Sequence, residues 1–121
     1  MAGLNDGEIK KAFAEGQTKL FDFQRQMNTV KAQLQQKAKD KKIAEVTIRE
    51  LEGFGEDTKV YRTVGKAFIS DGMQDVIADL RNAISSAAED EKSLETKEKW
   101  LERTLQETSS SLKDMLERRG P

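Results

Sequence analysis

The sequence contains no cysteine and no histidine, and its single proline is the last of its 121 residues. Without cysteine there is no disulfide framework, no thiolate metal site and no thiol nucleophile. Without histidine the commonest general base and metal ligand is also missing. The many carboxylates lie on polar helix faces, where pairs such as Glu95 and Lys99 have the spacing of surface ion pairs. We therefore predict a protein that is not an enzyme and that uses no metal and no cofactor.

An excess of charge of either sign is lacking too, because 22 acidic residues nearly cancel 21 basic residues and leave a net charge of −1. This balance gives no electrostatic reason to expect a nucleic acid or a membrane as partner. No run approaches the ~20 apolar residues that a membrane-spanning helix needs. Residues 1–6 have neither the basic region nor the apolar core of a secretory signal. These absences predict a soluble, intracellular protein.

The sequence does contain two long stripes of apolar or small residues, spaced alternately three and four residues apart. Hydrophobic and charged residues each make up 36% of the chain, a composition typical of coiled coils. A seven-residue repeat held over this length predicts coiled-coil helices. The first stripe comprises Ile9, Phe13, Gly16, Leu20, Phe23, Met27, Val30, Leu34, Ala44, Ile48 and Leu51, and the second comprises Met73, Ile77, Leu80, Ile84, Ala87, Leu94, Leu101, Leu105, Leu112 and Met115.

The predicted architecture is mainly α: one domain over residues 1–121, built as a long antiparallel coiled-coil helical hairpin with one short β-hairpin between the helices. The first helix is predicted over 5–52, with Asn5 as N-cap and Gly53 as a left-handed C-cap. Residues rich in β-branched and aromatic side chains surround Gly65 and predict a β-hairpin over 58–70. The second helix is predicted over 71–119, with Asp71 as its cap.

A single β-hairpin is marginally stable in water, and two thin helices offer it little surface. Its apolar residues therefore need strands from other subunits to pack against. This requirement predicts an oligomer.

Antiparallel folding of the two helices predicts that Ile9 lies near Met115 and that Leu51 lies near Met73. The polar residues on the stripes are predicted not to face one another in this register. They are Lys37, Lys41, Glu91 and Glu98.

Apolar residues from both ends of the sequence are expected to converge at the open end of the helical hairpin. They are Leu4, Ile9, Phe13, Leu112, Met115 and Leu116. Two interpretations remain open from the residues alone. Most of these positions belong to the stripes and are explained by helix packing, but an uncovered apolar patch at a fraying end also suits an interaction surface. Phe21 and Trp100 lie off the stripes. Each is either a single exposed aromatic residue or part of an inner interaction surface, and we favour the first interpretation.

Two other functional classes remain as alternatives. A coiled coil of this kind can serve as a structural tether or scaffold that binds one folded partner. The basic cluster Lys37–Lys42 can also contact RNA or an acidic partner, although an exposed helix face explains it more simply.

The sequence resembles the β-type subunits of prefoldin over essentially its whole length. The hairpin motif Tyr61-x-x-Val64-Gly65-Lys66-x-Phe68-Ile69 carries the resemblance most specifically. The presence of one hairpin agrees with the β-type, because α-type subunits carry two. Three further segments are most similar to the eukaryotic subunit 1 branch of the family: Ile9-Lys10-Lys11-Ala12-Phe13, Trp100-Leu101-Glu102 and Met115-Leu116-x-Arg118-Arg119.

The resemblance implies an ATP-independent chaperone subunit of a hetero-hexamer with two α-type and four β-type subunits. Such a complex would capture unfolded or nascent proteins, chiefly actin and tubulin, and deliver them to the cytosolic chaperonin. The family's subunit-assembly residues correspond to Val60, Tyr61, Val64, Phe68 and Ile69. Its client-binding residues correspond to Ile9, Phe13, Leu112, Met115 and Leu116, which favours the interaction surface over helix packing alone.

Overall fold

Two long helices flank a pair of strands in the computed structural model, which describes residues 6–54, 59–64 and 67–119. In chain order the elements are α1 (Asp6–Glu52), β1 (Lys59–Val64), β2 (Ala67–Gly72) and α2 (Met73–Arg119). Each helix has 47 residues. Neither contains proline, which would remove a backbone hydrogen bond and kink the helix. The prediction of a mainly helical chain with two long helices is confirmed.

The ends of α1 differ from the prediction. The proposed cap Asn5 lies outside the described residues. At the other end, the Gly53 N–H donates to the Glu50 carbonyl oxygen at 3.2 Å, and the Phe54 N–H donates to that of Leu51 at 3.1 Å. Gly53 does not adopt the left-handed conformation, so the predicted left-handed cap was wrong. Tight three-residue turns bind the last carbonyl groups instead.

The strands β1 and β2 pair antiparallel, with a register that runs from Lys59 opposite Gly72 to Val64 opposite Ala67. Residues 55–58 and 65–66, which precede and connect the strands, lie outside the described part. Strand β2 extends to Gly72, beyond the predicted limit of the hairpin at residue 70.

Asp71 therefore lies in a strand, opposite Val60, and does not cap α2. The predicted start of the second helix was two residues too early. The acidic residue in the first turn of α2 is Asp75, whose Oδ2 lies 3.5 Å from where a Cβ at residue 72 would stand. A carboxylate at this end of a helix interacts favourably with the helix dipole.

The described structure divides into two compact units. The first unit comprises Met1–Gln33 and Leu94–Pro121. Leu101 and Val30 are its most deeply buried large side chains, at 0% and 1% exposure. Both belong to the predicted apolar stripes, so the stripes of α1 and α2 form the core of this unit. Its other buried apolar residues are Met27 and Leu112.

Contacts within the first unit show that its two helix segments run antiparallel. Gly16 of α1 faces Leu112 of α2, and Phe23 faces Trp100. Along the unit, residue numbers in α2 therefore decrease as those in α1 increase. The Phe23 and Trp100 rings meet edge to face, with centroids 6.0 Å apart and an interplanar angle of 89°, which is a favourable aromatic geometry.

The second unit comprises Leu34–Ser93. Its apolar cluster contains Ile48, Met73 and Ile77, and three half-buried residues pack against it: Leu51, Leu80 and Ile84. The predicted proximity of Leu51 to Met73 agrees with this cluster. Arg81 donates a hydrogen bond from Nη2 to Glu52 Oε1 at 3.0 Å, which joins the end of α1 to α2 within this unit.

Two lysines of α1 form ion pairs with carboxylates of α2 in the second unit. Lys37 Nζ lies 3.0 Å from Asp90 Oδ2, and Lys41 pairs with Glu91. The prediction that the polar residues of the stripes do not face one another was therefore wrong for Lys41 and Glu91. Their side chains are 28% and 17% exposed, so both charges are partly removed from water and each compensates the other.

We expect Lys41→Glu to lower the free energy of unfolding by about 1–2 kcal/mol, because it places a second carboxylate beside Glu91 in a partly buried position. Adding Glu91→Lys should recover most of the loss, since the pair is then restored with reversed signs. Thermal unfolding followed by circular dichroism measures both effects. Lys42→Glu, the same change at an exposed neighbour, is the control. Equal losses from Lys41→Glu and Lys42→Glu would show that the pair contributes nothing.

Candidate polypeptide-binding site

Four of the five predicted client-binding residues line one pocket in the first unit. We call it the terminal pocket, because it lies between the first turns of α1 and the last turns of α2. Its volume is about 250 Å³. It is lined by Ile9, Lys10, Phe13, Ala14, Gln17, Met115 and Leu116.

The helical repeat accounts for this convergence. Ile9 and Phe13 are four residues apart and so lie on one face of α1, while the antiparallel arrangement brings Met115 and Leu116 alongside them. Ile9, Phe13 and Met115 are half-buried, and Leu116 is 55% exposed. The pocket thus presents apolar surface that is only partly covered by its own unit.

The chemistry of the terminal pocket suits apolar side chains of varied shape. Its apolar lining comes from aliphatic, aromatic and methionine side chains. A methionine side chain repacks easily against different partners. The polar groups at its edge, Lys10 and Gln17, have long, flexible side chains. Such a site can bury an apolar side chain of another polypeptide with little sequence preference.

Leu112, the fifth predicted client-binding residue, is placed differently. It is only 7% exposed and lies against Gly16, between the helices. It also contributes to a neighbouring pocket that shares Met115. The sequence could not separate Leu112 from the surface residues, because its heptad position is compatible with either placement.

The two aromatic residues off the stripes are both exposed, Phe21 at 66% and Trp100 at 52%. The expectation of isolated aromatic residues was wrong for Trp100, since its ring packs against Phe23. Phe23 belongs to the apolar stripe. The indole therefore partly covers the boundary between the helices in the first unit.

Comparison with known proteins identifies the family. The sequence family described as Prefoldin subunit matches residues 14–119. The chain belongs to the prefoldin subunit family. It is thus a chaperone subunit of the prefoldin type.

Several curated members of the prefoldin subunit family are similar to this chain over nearly its whole length. Prefoldin subunit 1 from Tetraodon nigroviridis is 34% identical over 116 residues, which cover 96% of this chain and 95% of the relative. Human prefoldin subunit 1 gives the same identity and coverage. Probable prefoldin subunit 1 from Dictyostelium discoideum is 31% identical over 110 residues, covering 91% of this chain and 96% of that protein. The resemblance to the subunit 1 branch is confirmed.

A solved structure supports the prefoldin fold. The crystal structure of the prefoldin beta subunit from Thermococcus strain KS-1 matches with a TM-score of 0.78, and the match covers 100% of both chains. The two sequences are 24% identical. This likeness supports the fold of the prefoldin subunit, while the family assignment comes from the sequence comparisons.

The predicted assembly residues of the prefoldin subunit lie in both strands. Val60, Tyr61 and Val64 belong to β1, whereas Phe68 and Ile69 belong to β2. In the observed register Thr63 is opposite Phe68, Arg62 is opposite Ile69, and Val64 is opposite Ala67.

The basic cluster of the prefoldin subunit is partly engaged in ion pairs. Two of its lysines, Lys37 and Lys41, pair with carboxylates of α2. Asp40, which lies within the same segment, accepts a hydrogen bond from Gln36 Nε2 at 2.8 Å. These contacts reduce the positive potential that an RNA phosphate backbone would require, and so they weigh against the RNA-binding alternative.

The described part of the prefoldin subunit contains neither a candidate metal site nor a candidate membrane span. There, no group of three or more acidic side chains is arranged to hold a metal ion. Within the same residues, neither helix contains a stretch that is long and apolar enough to cross a membrane.

Proposed function

We propose that this prefoldin subunit is a β-type subunit of a hetero-hexamer with two α-type and four β-type subunits, and that its terminal pocket holds unfolded or nascent polypeptides without ATP. The observation that carries the proposal is the terminal pocket itself. Four apolar residues from opposite ends of the sequence form one partly exposed surface there. The similarity to proteins named prefoldin subunit 1 over 96% of the chain supports the choice of complex.

The proposed partners follow from the family resemblance. They are the other prefoldin subunits, actin and tubulin as clients, and the cytosolic chaperonin as the acceptor, with the cytoplasm as the site of action. The proposed activity is not enzymatic. Holding a client requires only reversible burial of apolar surface, so no cofactor is needed.

The strength of one pocket explains why several subunits would act together. Full burial of one large apolar side chain contributes about 1.5–3 kcal/mol, which is less than the ~4 kcal/mol of a millimolar dissociation constant. Linked sites can exceed the affinity of one site by about 10²–10⁴-fold through effective concentration. A client held by several weak pockets stays bound, yet each contact is released easily.

A pair of matched substitutions tests the terminal pocket. Leu116 lines the pocket and Ile43 does not, but both are aliphatic residues that are 55% exposed. We expect Leu116→Ser to weaken suppression of aggregation of chemically denatured actin by about threefold or more, because it removes apolar contact area from the site. Ile43→Ser removes a similar exposed area from the second unit and should leave the suppression unchanged. Equal effects of the two substitutions would contradict the proposed site.

The composition of the complex is a separate test. The subunit purified with its natural partners is expected to have the mass of a hexamer of small chains and to bind denatured polypeptides. A dimer of this chain alone, with affinity for one folded protein and none for denatured clients, would support the alternative of a coiled-coil tether or scaffold.

A further inference from the structure

Gly16 occupies a place in α1 where an added side chain would meet the Leu112 side chain of α2 so closely that one of them would have to shift. A Cβ atom at this position would lie 2.5 Å from Leu112 Cδ2 and 3.4 Å from Leu112 Cγ. Carbon atoms that are not bonded have their optimum separation near 3.5–4.0 Å. The Leu112 side chain thus fills the space that a side chain at residue 16 would otherwise occupy.

Helix propensity does not explain the presence of glycine at position 16. Glycine inside a helix costs about 0.5–1 kcal/mol relative to alanine, because it loses more backbone freedom on folding. The advantage visible in the structure is close packing, since Leu112 is 7% exposed and lies directly on Gly16. The arrangement is that of a knob from α2, the Leu112 side chain, seated against Gly16 of α1.

The Gly16–Leu112 contact adjoins the terminal pocket on both helices. On α1, Gly16 lies three residues after Phe13 and directly before Gln17, which both line the pocket. On α2, Leu112 lies three residues before Met115, which lines both the terminal pocket and the neighbouring pocket that contains Gly16. Gly16 and Leu112 thus each lie within one helical turn of a residue that lines the terminal pocket.

We propose that Gly16 is a positioning residue for client binding: by seating Leu112, it fixes the separation of α1 and α2 beside the terminal pocket and so sets the pocket's affinity for apolar side chains. Gly16 has no side chain with which to hold a client and acts through Leu112. The inference rests on the proposed function of the pocket. It also assigns Leu112 a role beneath the binding surface, which agrees with its burial.

The test is a double-mutant cycle with Gly16→Ala and Leu112→Ala in the assembled complex. Gly16→Ala alone should raise the concentration needed for half-maximal protection of denatured actin by about five- to tenfold, because overpacking displaces the helices. In the L112A background the same change should have little effect, since the colliding atoms Cγ and Cδ2 are gone. Gly16→Ala raises intrinsic helix propensity, so poor helix formation cannot account for the loss.

A distance measurement separates positioning from client binding. The chain has no cysteine, so nitroxide labels can be attached uniquely through Lys11→Cys and Asp114→Cys, both at exposed positions of the first unit. Gly16→Ala should lengthen the distance between the labels by about 1 Å or more, as the methyl group needs normal van der Waals separation. Leu112→Ala should reverse the lengthening.

The outcomes distinguish the two proposals. The positioning role is supported if Gly16→Ala lengthens the distance between the labels and weakens protection of denatured actin, and if Leu112→Ala reverses both effects. An unchanged distance, or a longer distance with full protection, overturns that role and leaves the proposed function standing. A complex of the natural sequence that does not protect denatured actin overturns the proposed function, and the positioning role with it.

Discussion

Phe13→Ser combined with Met115→Ser is expected to reduce suppression of client aggregation at least tenfold while leaving the hexamer intact. Both residues line the terminal pocket, one from α1 and one from α2. Serine removes the aromatic and thioether surfaces, each of which contributes about 1.5–3 kcal/mol when fully buried by a client. A loss of this size nearly eliminates the contribution of one pocket to a multivalent complex.

Two control variants separate loss of the site from loss of structure. Phe13→Leu with Met115→Leu keeps the pocket apolar and should protect clients almost as well as the natural sequence. Phe21→Ser with Ile43→Ser removes one aromatic and one aliphatic side chain at exposed positions outside the pocket, and it should have little effect. Native mass measurements establish that each complex is a hexamer. If the Phe13→Ser, Met115→Ser complex protects as well as before, the pocket is not the client site.

The seven-residue repeat was sufficient to predict both helices, because the spacing of its apolar residues shows which face of each helix is buried. The ends, Glu52 for α1 and Arg119 for α2, were predicted from the residues that follow them, Gly53 and Gly120-Pro121, and are as observed. The repeat also predicted that Ile9 and Met115 lie together, since antiparallel folding of two helices of equal length brings their outer ends side by side.

The repeat could not predict the details that depend on contacts between the helices. A heptad pattern defines the phase of a helix but not its axial offset, so the pairing of Lys41 with Glu91 was missed. Burial of Leu112 depends on the absence of a side chain at Gly16, which lies far away in the sequence. The extension of β2 through Asp71 was missed for a related reason, because aspartate suits a helix cap locally and the strand is set by pairing with Val60.

Val64→Asp or Phe68→Asp is expected to release this subunit from the complex. The described strands β1 and β2 form a two-stranded antiparallel sheet, and such a pair is marginally stable alone. In the proposed hexamer, strands from other subunits complete the sheet and cover its apolar residues. An unpaired carboxylate buried there would cost several kcal/mol, enough to favour dissociation. Size-exclusion chromatography with mass detection would show a free subunit beside an incomplete complex.

Ser70→Asp is the matched control for this prediction. Ser70 lies in β2, two residues from Phe68, and in the observed register it is opposite Tyr61. It introduces the same charge into the same strand without removing an apolar side chain. If Ser70→Asp leaves the hexamer intact while Phe68→Asp releases the subunit, apolar packing between subunits holds the assembly together. Unchanged elution of the Val64→Asp and Phe68→Asp variants would instead mean that the helices alone carry assembly, because the strand pair could then accept a charge at either position without consequence.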